Sequence, residues 1–269
     1  MTQNNAAFPI LLTFDLDAES GALAQDPSNA NRPGVLSIGQ YGPKVGAHRI
    51  LKLLADENIP ATFFIPGWVA DKYPAAVEAI VKGGHEIAHH GYTHQPPATF
   101  ANRDEEEQGL VKGIESLKRY TGQAPRGYRS PSWDFSPHTL GLLEQYGFLY
   151  SSNLMDDDAP YLHKIDGRET KLVELPIQWM NDDAPFFMFR PPYQRPIQPA
   201  SHPYEIWTEE LQALHREPGK IFVLTMHPQI IGRPSRVAML KKFIAFAREL
   251  GNVEFKKCHA VAEQILKSQ

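Results

Sequence analysis

Residues 10–17, Ile10-Leu11-Leu12-Thr13-Phe14-Asp15-Leu16-Asp17, decide how the rest of the chain is read. A short apolar run stops at two carboxylates, which is the pattern of a buried strand ending in a polar site. Side chains alternate along a strand, so Asp15 and Asp17 are expected to face the same way. Similar runs recur at Ala61 to Ile65, His85 to His89, Gly127 to Ser130, Phe148 to Ser152, Leu172 to Ile177, Ile221 to Met226 and Val253 to Phe255. Helical periodicity fills the gaps. Leu110, Ile114 and Leu117 share one face, as do Leu240, Phe243, Ala247 and Leu250, and Ser136-Pro137 offers an N-cap followed by a first-turn proline. Strands alternating with helices predict an α/β fold, one barrel of eight strands with residues 1–269 as a single domain. Residues 18–43 and 182–203 lack either period and are expected to be long loops lining a cleft.

Composition narrows the partners. The 269 residues carry 27 Lys plus Arg against 31 Asp plus Glu, a net charge of −4, without the basic surplus that nucleic acid demands. No apolar run approaches a membrane span. Cys258 is the one cysteine and has no partner for an internal disulfide. The start, MTQNNAAFPI, lacks a basic stretch followed by a long apolar one, so a cytoplasmic protein is expected.

Four clusters can carry chemistry. Asp15 and Asp17 repel each other if they share a site, and a cation between them resolves this; a solvated strand-end pair is the plainer alternative. Residues 84–94, GHEIAHHGYTH, place four of the chain's 11 histidines within ten residues. Imidazole is the commonest metal ligand, but His85 with His89 and His90 with His94 have the same spacing, and the residues alone do not separate the pairs. One carboxylate with two histidines suits zinc hydrolysis or ferrous oxygenase chemistry; a spare carboxylate such as Asp15 favours the hydrolase, which needs a base beside the water. Arg129, Pro131 and Trp133 follow at another strand end, where Arg129 can hold Asp15 ionised and Trp133 can wall the site. His227 ends the run Leu224-Thr225-Met226 and is a candidate general acid.

In this order the clusters resemble the motifs of the polysaccharide deacetylase superfamily, the NodB-homology amide hydrolases, from about residue 10 to residue 260. Thr13 to Asp17 resembles the opening TFDD-like motif with one residue inserted. His90-Gly91-Tyr92-Thr93-His94 resembles the histidine motif, Arg129 to Trp133 the arginine motif and Leu224 to Pro228 the closing motif. The resemblance implies a distorted (β/α) barrel of seven to eight strands. It implies Asp17, His90 and His94 as ligands of a divalent ion, with zinc expected, Asp15 as base and His227 as acid. It leaves His85 structural and His89 unassigned. Asp156-Asp157-Asp158 stands where the family's acidic motif orients the acid histidine, and Asp158 is the residue expected to do so. The spaced FDLD and the HGYTH motif are similar to a signal-less branch of peptidoglycan deacetylases and cyclic imide hydrolases.

The expected reaction is hydrolysis of an amide C–N bond, most directly de-N-acetylation of an amino sugar or peptidoglycan-type glycan. Opening of a cyclic imide or ureide is the alternative, and a non-catalytic sugar-binding module a remoter one. An oxygenase with the same triad is usually a jelly roll, which the strand-helix alternation opposes. Pro131, Trp133 and Trp179 are the expected substrate contacts. Phe186, Phe187 and Tyr193 can stack on a sugar ring or cover a subunit interface, so a homo-oligomer stays open.

Overall fold

The computed structural model describes residues 7–189 and 195–268; Tyr193 lies outside them. The described residues form nine strands: β1 (Phe8–Asp15), β2 (Thr62–Ile65), β3 (Glu86–His89), β4 (Gly127–Tyr128), β5 (Tyr150–Ser151), β6 (Tyr161–Ile165), β7 (Arg168–Glu174), β8 (Phe222–Met226) and β9 (Val253–Phe255). The helices are α1 (Ser20–Gln25), α2 (Pro33–Tyr41), α3 (Ala47–Asp56), α4 (Gly67–Lys72), α5 (Pro74–Lys82), α6 (Arg103–Thr121), α7 (Thr139–Gln145), α8 (Ala184–Phe187), α9 (Ser201–Leu214), α10 (Pro228–Ile231), α11 (Pro234–Glu249) and α12 (Cys258–Lys267).

The strands form one curled sheet in the order β6-β7-β5-β4-β3-β2-β1-β8, with β9 also pairing β1. Every pairing is parallel except β6 with β7. Among the described residues β6 and β8 do not pair, so the sheet is a half-barrel. The period of two along each strand separates two cores. Leu12, Phe14, Phe63, Ile87 and Leu224 face the outer helices, whereas Leu11, Phe64, Ala88, Tyr150 and Val223 fill the curl. Thr13 and Asp15 share the parity of Leu11 and therefore point inward at the C-terminal rim.

Two expectations change. Tyr161 to Ile165 was not anticipated as a strand; it forms an antiparallel hairpin with β7 around Asp166-Gly167, both at positive φ. Residues 18–43 are not a long loop but mostly helical, with α2 running through a π turn at Gly42–Gly46 into α3. Glycine spacing hid this helix, because Gly34, Gly39, Gly42 and Gly46 dilute the apolar period. The glycines are needed for contact: a Cβ at Gly46 would sit 2.0 Å from the Pro228 carbonyl oxygen, and one at Gly39 would sit 2.1 Å from that of Ala18. The described part of residues 182–203 fits the expectation better, holding the short α8 before α9 begins at Ser201. Among the described residues no helix is long and apolar enough to cross a membrane.

Candidate active site

The C-terminal rim gathers Asp15, Asp17, His90, His94, Arg129 and His227. β1 stops at Asp15, but Leu16 N–H still donates to the Phe64 carbonyl at 2.9 Å, which carries the strand alternation on to Asp17. Asp17 Oδ1 lies 3.4 Å from His90 Nε2 and 3.5 Å from His94 Nε2. This oxygen is buried and accepts no hydrogen bond, although a carboxylate oxygen without a partner is costly to bury. Against burial, which works to raise it, His94, His90 and His227 hold the Asp17 carboxyl well below the usual range. Burial pushes His94 down to about 4, against the pull of Asp17, so its ring is neutral near pH 7 and offers a lone pair. His90 Nδ1 sits 2.8 Å from the Arg129 carbonyl oxygen, which fixes Nδ1 as the donor and turns the Nε2 lone pair toward Asp17. An anionic oxygen and two imidazole lone pairs within 4.8 Å of one another make a donor set that suits a divalent cation.

Strand parity separates the histidine pairs that spacing left open. Ala88 fills the curl, so His89 points outward under α6. Its Nε2 donates to the Leu110 carbonyl at 3.0 Å, and its Nδ1 accepts from Gly91 N–H at 3.0 Å. His85, before β3, accepts from Ala61 N–H through Nδ1 at 3.2 Å. His90 comes next on the inward side. Positive φ at Gly91 and at His94 turns the chain so that the second imidazole returns to the first.

Arg129 is fully buried and donates to Asp15 Oδ1 at 2.9 Å and to Thr13 Oγ1 at 2.9 Å. Ser152 holds the rest of the guanidinium: its carbonyl accepts from Nε at 3.2 Å and its Oγ from Nη2 at 2.9 Å. The Phe64 ring underlies it at 4.1 Å. Asp15 is thus anchored through one oxygen, while Oδ2 lies 3.9 Å from His90 Nε2 on the site side.

His227 follows β8, and the structure corrects the choice of its partner. Its Nδ1 lies 2.7 Å from Asp183 Oδ1, and its backbone N–H donates to Asp183 Oδ2 at 3.0 Å. A parallel bridge between Asp182 and Thr225 docks this acidic segment against the end of β8. Asp158 does not reach His227. Its carbonyl accepts from Ile221 N–H at the opposite end of β8, and Asp156 and Asp157 bind Tyr161 and local backbone instead. The three adjacent aspartates drew attention by number, but they precede a hairpin that carries them to the far rim. With Nδ1 engaged, Nε2 of His227 faces Asp17 Oδ2 at 3.7 Å. Burial works to lower His227, yet the carboxylates of Asp182 and Asp183 raise it well above its ordinary value.

Trp133 and Trp179 stack on each other with ring centroids 4.1 Å apart; Trp133 is buried and Trp179 is 47% exposed. Pro131 is buried between Arg129 and Trp133, against Gly91 of the histidine turn. Phe187 is in the core, under the Arg236 guanidinium. Sequence reading missed a polar network beneath Arg129. Glu174, fully buried at the end of β7, accepts from Asn153 N–H at 2.6 Å, Leu154 N–H at 2.8 Å, Ser151 Oγ and His163 Nε2 at 2.8 Å. Asn153 Oδ1 in turn accepts from Ser130 N–H at 2.6 Å. The hint was an acid ending the apolar run Leu172-Val173.

Comparison with known proteins follows the same lines. The family model described as polysaccharide deacetylase matches residues 33–151. The chain is 32% identical over 278 residues to the peptidoglycan deacetylase of Helicobacter pylori, covering 94% of each, and 28% identical to a peptidoglycan deacetylase-like protein of Gibberella zeae, covering 96% of this chain and 86% of the other. A crystal structure from Mycobacterium smegmatis assigned as a polysaccharide deacetylase superposes with a TM-score of 0.92 at 39% identity, covering 100% of this chain and 93% of that one. An allantoinase shares the fold, with a TM-score of 0.83 at 23% identity over 99% of this chain and 92% of the other. A buried, open-sided Asp-His-His cluster at the rim of a half-barrel, together with whole-length similarity to one of its members, means that this chain belongs to the polysaccharide deacetylase family.

Proposed function

We propose that residues 1–269 act as one hydrolytic domain that removes the acetyl group from an N-acetylated amino sugar, with Asp17, His90 and His94 holding the divalent ion on which this family depends. The observation that carries the reading is Asp17 Oδ1, a buried anionic oxygen without a hydrogen-bond donor, facing two imidazole Nε2 atoms. Nitrogen-rich ligation makes zinc the ion of choice, and when bound it would polarise the amide carbonyl and acidify a water.

The chain's own groups supply the proton transfers. Asp15 takes the proton from the attacking water through Oδ2, since its Oδ1 is committed to Arg129. His227 gives a proton from Nε2 to the departing nitrogen, and Asp183 supports the cationic ring through Nδ1. A backbone donor for the developing oxyanion follows by elimination within the arginine motif. Ser130 N–H donates to Asn153, Pro131 has no N–H, and Trp133 N–H donates to Ser130 O, so Ser132 N–H is the one left. Trp133 and Trp179 form an aromatic wall against which the acetyl end of the substrate would pack.

A cyclic imide or ureide is the second substrate reading. It is favoured by α1, which closes on the site: a Cβ at Gly21 would lie 3.5 Å from the His94 ring. One time course tests both. Zinc-loaded protein is incubated with N-acetylglucosamine oligomers, succinimide, hydantoin and allantoin, and followed by mass spectrometry. Acetate release from the sugars supports the deacetylase. Gain of one water by an imide with the sugars untouched replaces it.

A further inference from the structure

A cavity of about 320 Å³ opens from Asp17 between α1, α2 and the residues that follow β8. Neither Trp133 nor Trp179 lines it. Among the described residues its walls are apolar, from Ala22, Val35, Ile38 and Phe187, and its polar lining besides Asp17 is Gln229, Arg233 and Arg236. Among the described residues no carboxylate lies within ion-pairing distance of either arginine. Arg233 stacks on Tyr41 at 3.6 Å, and Arg236 stacks on Phe187 at 4.2 Å and donates to the Ile230 carbonyl at 2.9 Å. Burial, with Arg233 nearby and against the pull of Asp183, lowers the Arg236 pKa. Gln229 is buried on the same wall; its Nε2 lies 3.4 Å from Asp17 Oδ2, and its Oε1 has no donor.

Two guanidiniums that make no ion pair among the described residues, at one side of a cavity whose other polar end is the Asp17 cluster, describe a ligand that is anionic at one end and reactive at the other. We infer that the cavity takes the part of the substrate beyond the reacting amide, and that this part bears a carboxylate or phosphate bound by Arg233 and Arg236. The volume fits a single ring rather than a chain of sugars. The natural substrate is then a small anionic N-acyl compound, with a ring hydroxyl or N–H of the ligand donating to Gln229 Oε1. This rests on the hydrolase reading above for the position of the amide.

The test compares three probes that share one acetamido sugar: N-acetylglucosamine, N-acetylmuramic acid, which adds a carboxylate, and N-acetylglucosamine 6-phosphate. Binding is measured by calorimetry on the full chain dialysed free of metal, so that an anion cannot report on zinc, and acetate release is measured separately with zinc. At least one anionic probe is expected to bind about tenfold or more tightly than the neutral sugar. That preference should fall to near parity in Arg233→Gln and Arg236→Gln and return in part in Arg236→Lys; which probe wins tells carboxylate from phosphate. If Arg236→Gln does not fold, the exposed Arg233→Gln decides. Equal binding of all three probes, or a preference that survives both glutamine substitutions, overturns the inference. Arginine-dependent anion binding with no acetate release from any probe keeps the cavity's role and removes the deacetylase reading instead.

Discussion

Gly113 lies inside α6, where replacing glycine by alanine ordinarily stabilises a protein by ~1 kcal/mol, because alanine is the better helix former. Here the sign is expected to reverse. A Cβ at Gly113 would sit 2.2 Å from Nε2 of His89, 2.9 Å from Cε1 and 3.0 Å from Cδ2. The ring is tightly held. It is fully buried, held through both nitrogens by Leu110 and Gly91, and stacked on Tyr128 at 5.4 Å. Crowding a packed core in this way costs ~1–3 kcal/mol, and losing either of the His89 hydrogen bonds adds ~1 kcal/mol. After subtracting the helix gain, Gly113→Ala should be destabilised by ~1–3 kcal/mol, a fall in melting temperature of roughly 2–10 °C for a chain of this size. Gly141 in α7 is the control. No atom lies within 4 Å of its added Cβ, so Gly141→Ala should be stabilised by up to ~1 kcal/mol. Urea titrations of the two variants and the parent measure both values. If Gly113→Ala proves as stable as Gly141→Ala, the packing argument for His89, and with it the reason this histidine is unavailable as a ligand, is wrong.

Other outcomes can be checked with the same protein. Asp15→Asn should keep zinc, measured by equilibrium dialysis, while kcat falls by ~10²–10⁴; His90→Ala should lose both, and near-normal turnover by Asp15→Asn would remove the base assignment. Asp183→Asn should lower kcat by ~10²–10⁴ by disturbing the tautomer of His227, whereas Asp158→Asn, at the other rim, should leave kcat within about twofold. Removing zinc by dialysis should abolish acetate release and lower stability by ~3 kcal/mol when compared with protein at a hundredfold excess of zinc over Kd. Burial, with Glu86 beside it, pushes the Cys258 thiol up to about 12, so the native protein should resist alkylation at pH 8 and react only when unfolded. The same shift raises the folded pKa above the unfolded one, so its contribution to stability is complete below the unfolded value and is lost as pH climbs toward 12.

The parallel core and the rim that gathers the candidate residues were legible because each depends on local pattern. An apolar strand closed by an acid or a histidine marks the C-terminal rim wherever it occurs, as at Asp15 and His227. What the pattern missed depends on contacts between distant segments. Asp183 becomes the partner of His227 only because residue 182 bridges to Thr225, and Asp158 loses that role because the hairpin of β6 and β7 draws its neighbourhood to the other rim. The helix over residues 33–56 was hidden by glycines, of which Gly39 is kept for close approach to Ala18 and Gly42 and Gly46 for close approach to α10 rather than for helix formation. The ambiguity between His85 with His89 and His90 with His94 vanished once β3 was known to end at His89, since alternation then fixes which rings enter the curl.

The register of β1 has a consequence for how the chain is made. Of its neighbours, β2 follows within about fifty residues, but Thr13 Oγ1 donates to the carbonyl of Leu224, which is translated 211 residues later. At ~5–20 residues per second a ribosome takes roughly 10–40 s to deliver β8. Throughout that interval one of the most apolar strands of the protein presents an unpaired ladder, with Ile10, Leu11 and Leu12 beside it, the kind of edge that recruits other nascent chains. Yield of soluble protein should therefore depend on translation speed and on chaperones that shield β1, and substitutions that weaken β8 should appear first as aggregation during synthesis rather than as a lower melting temperature of the finished enzyme.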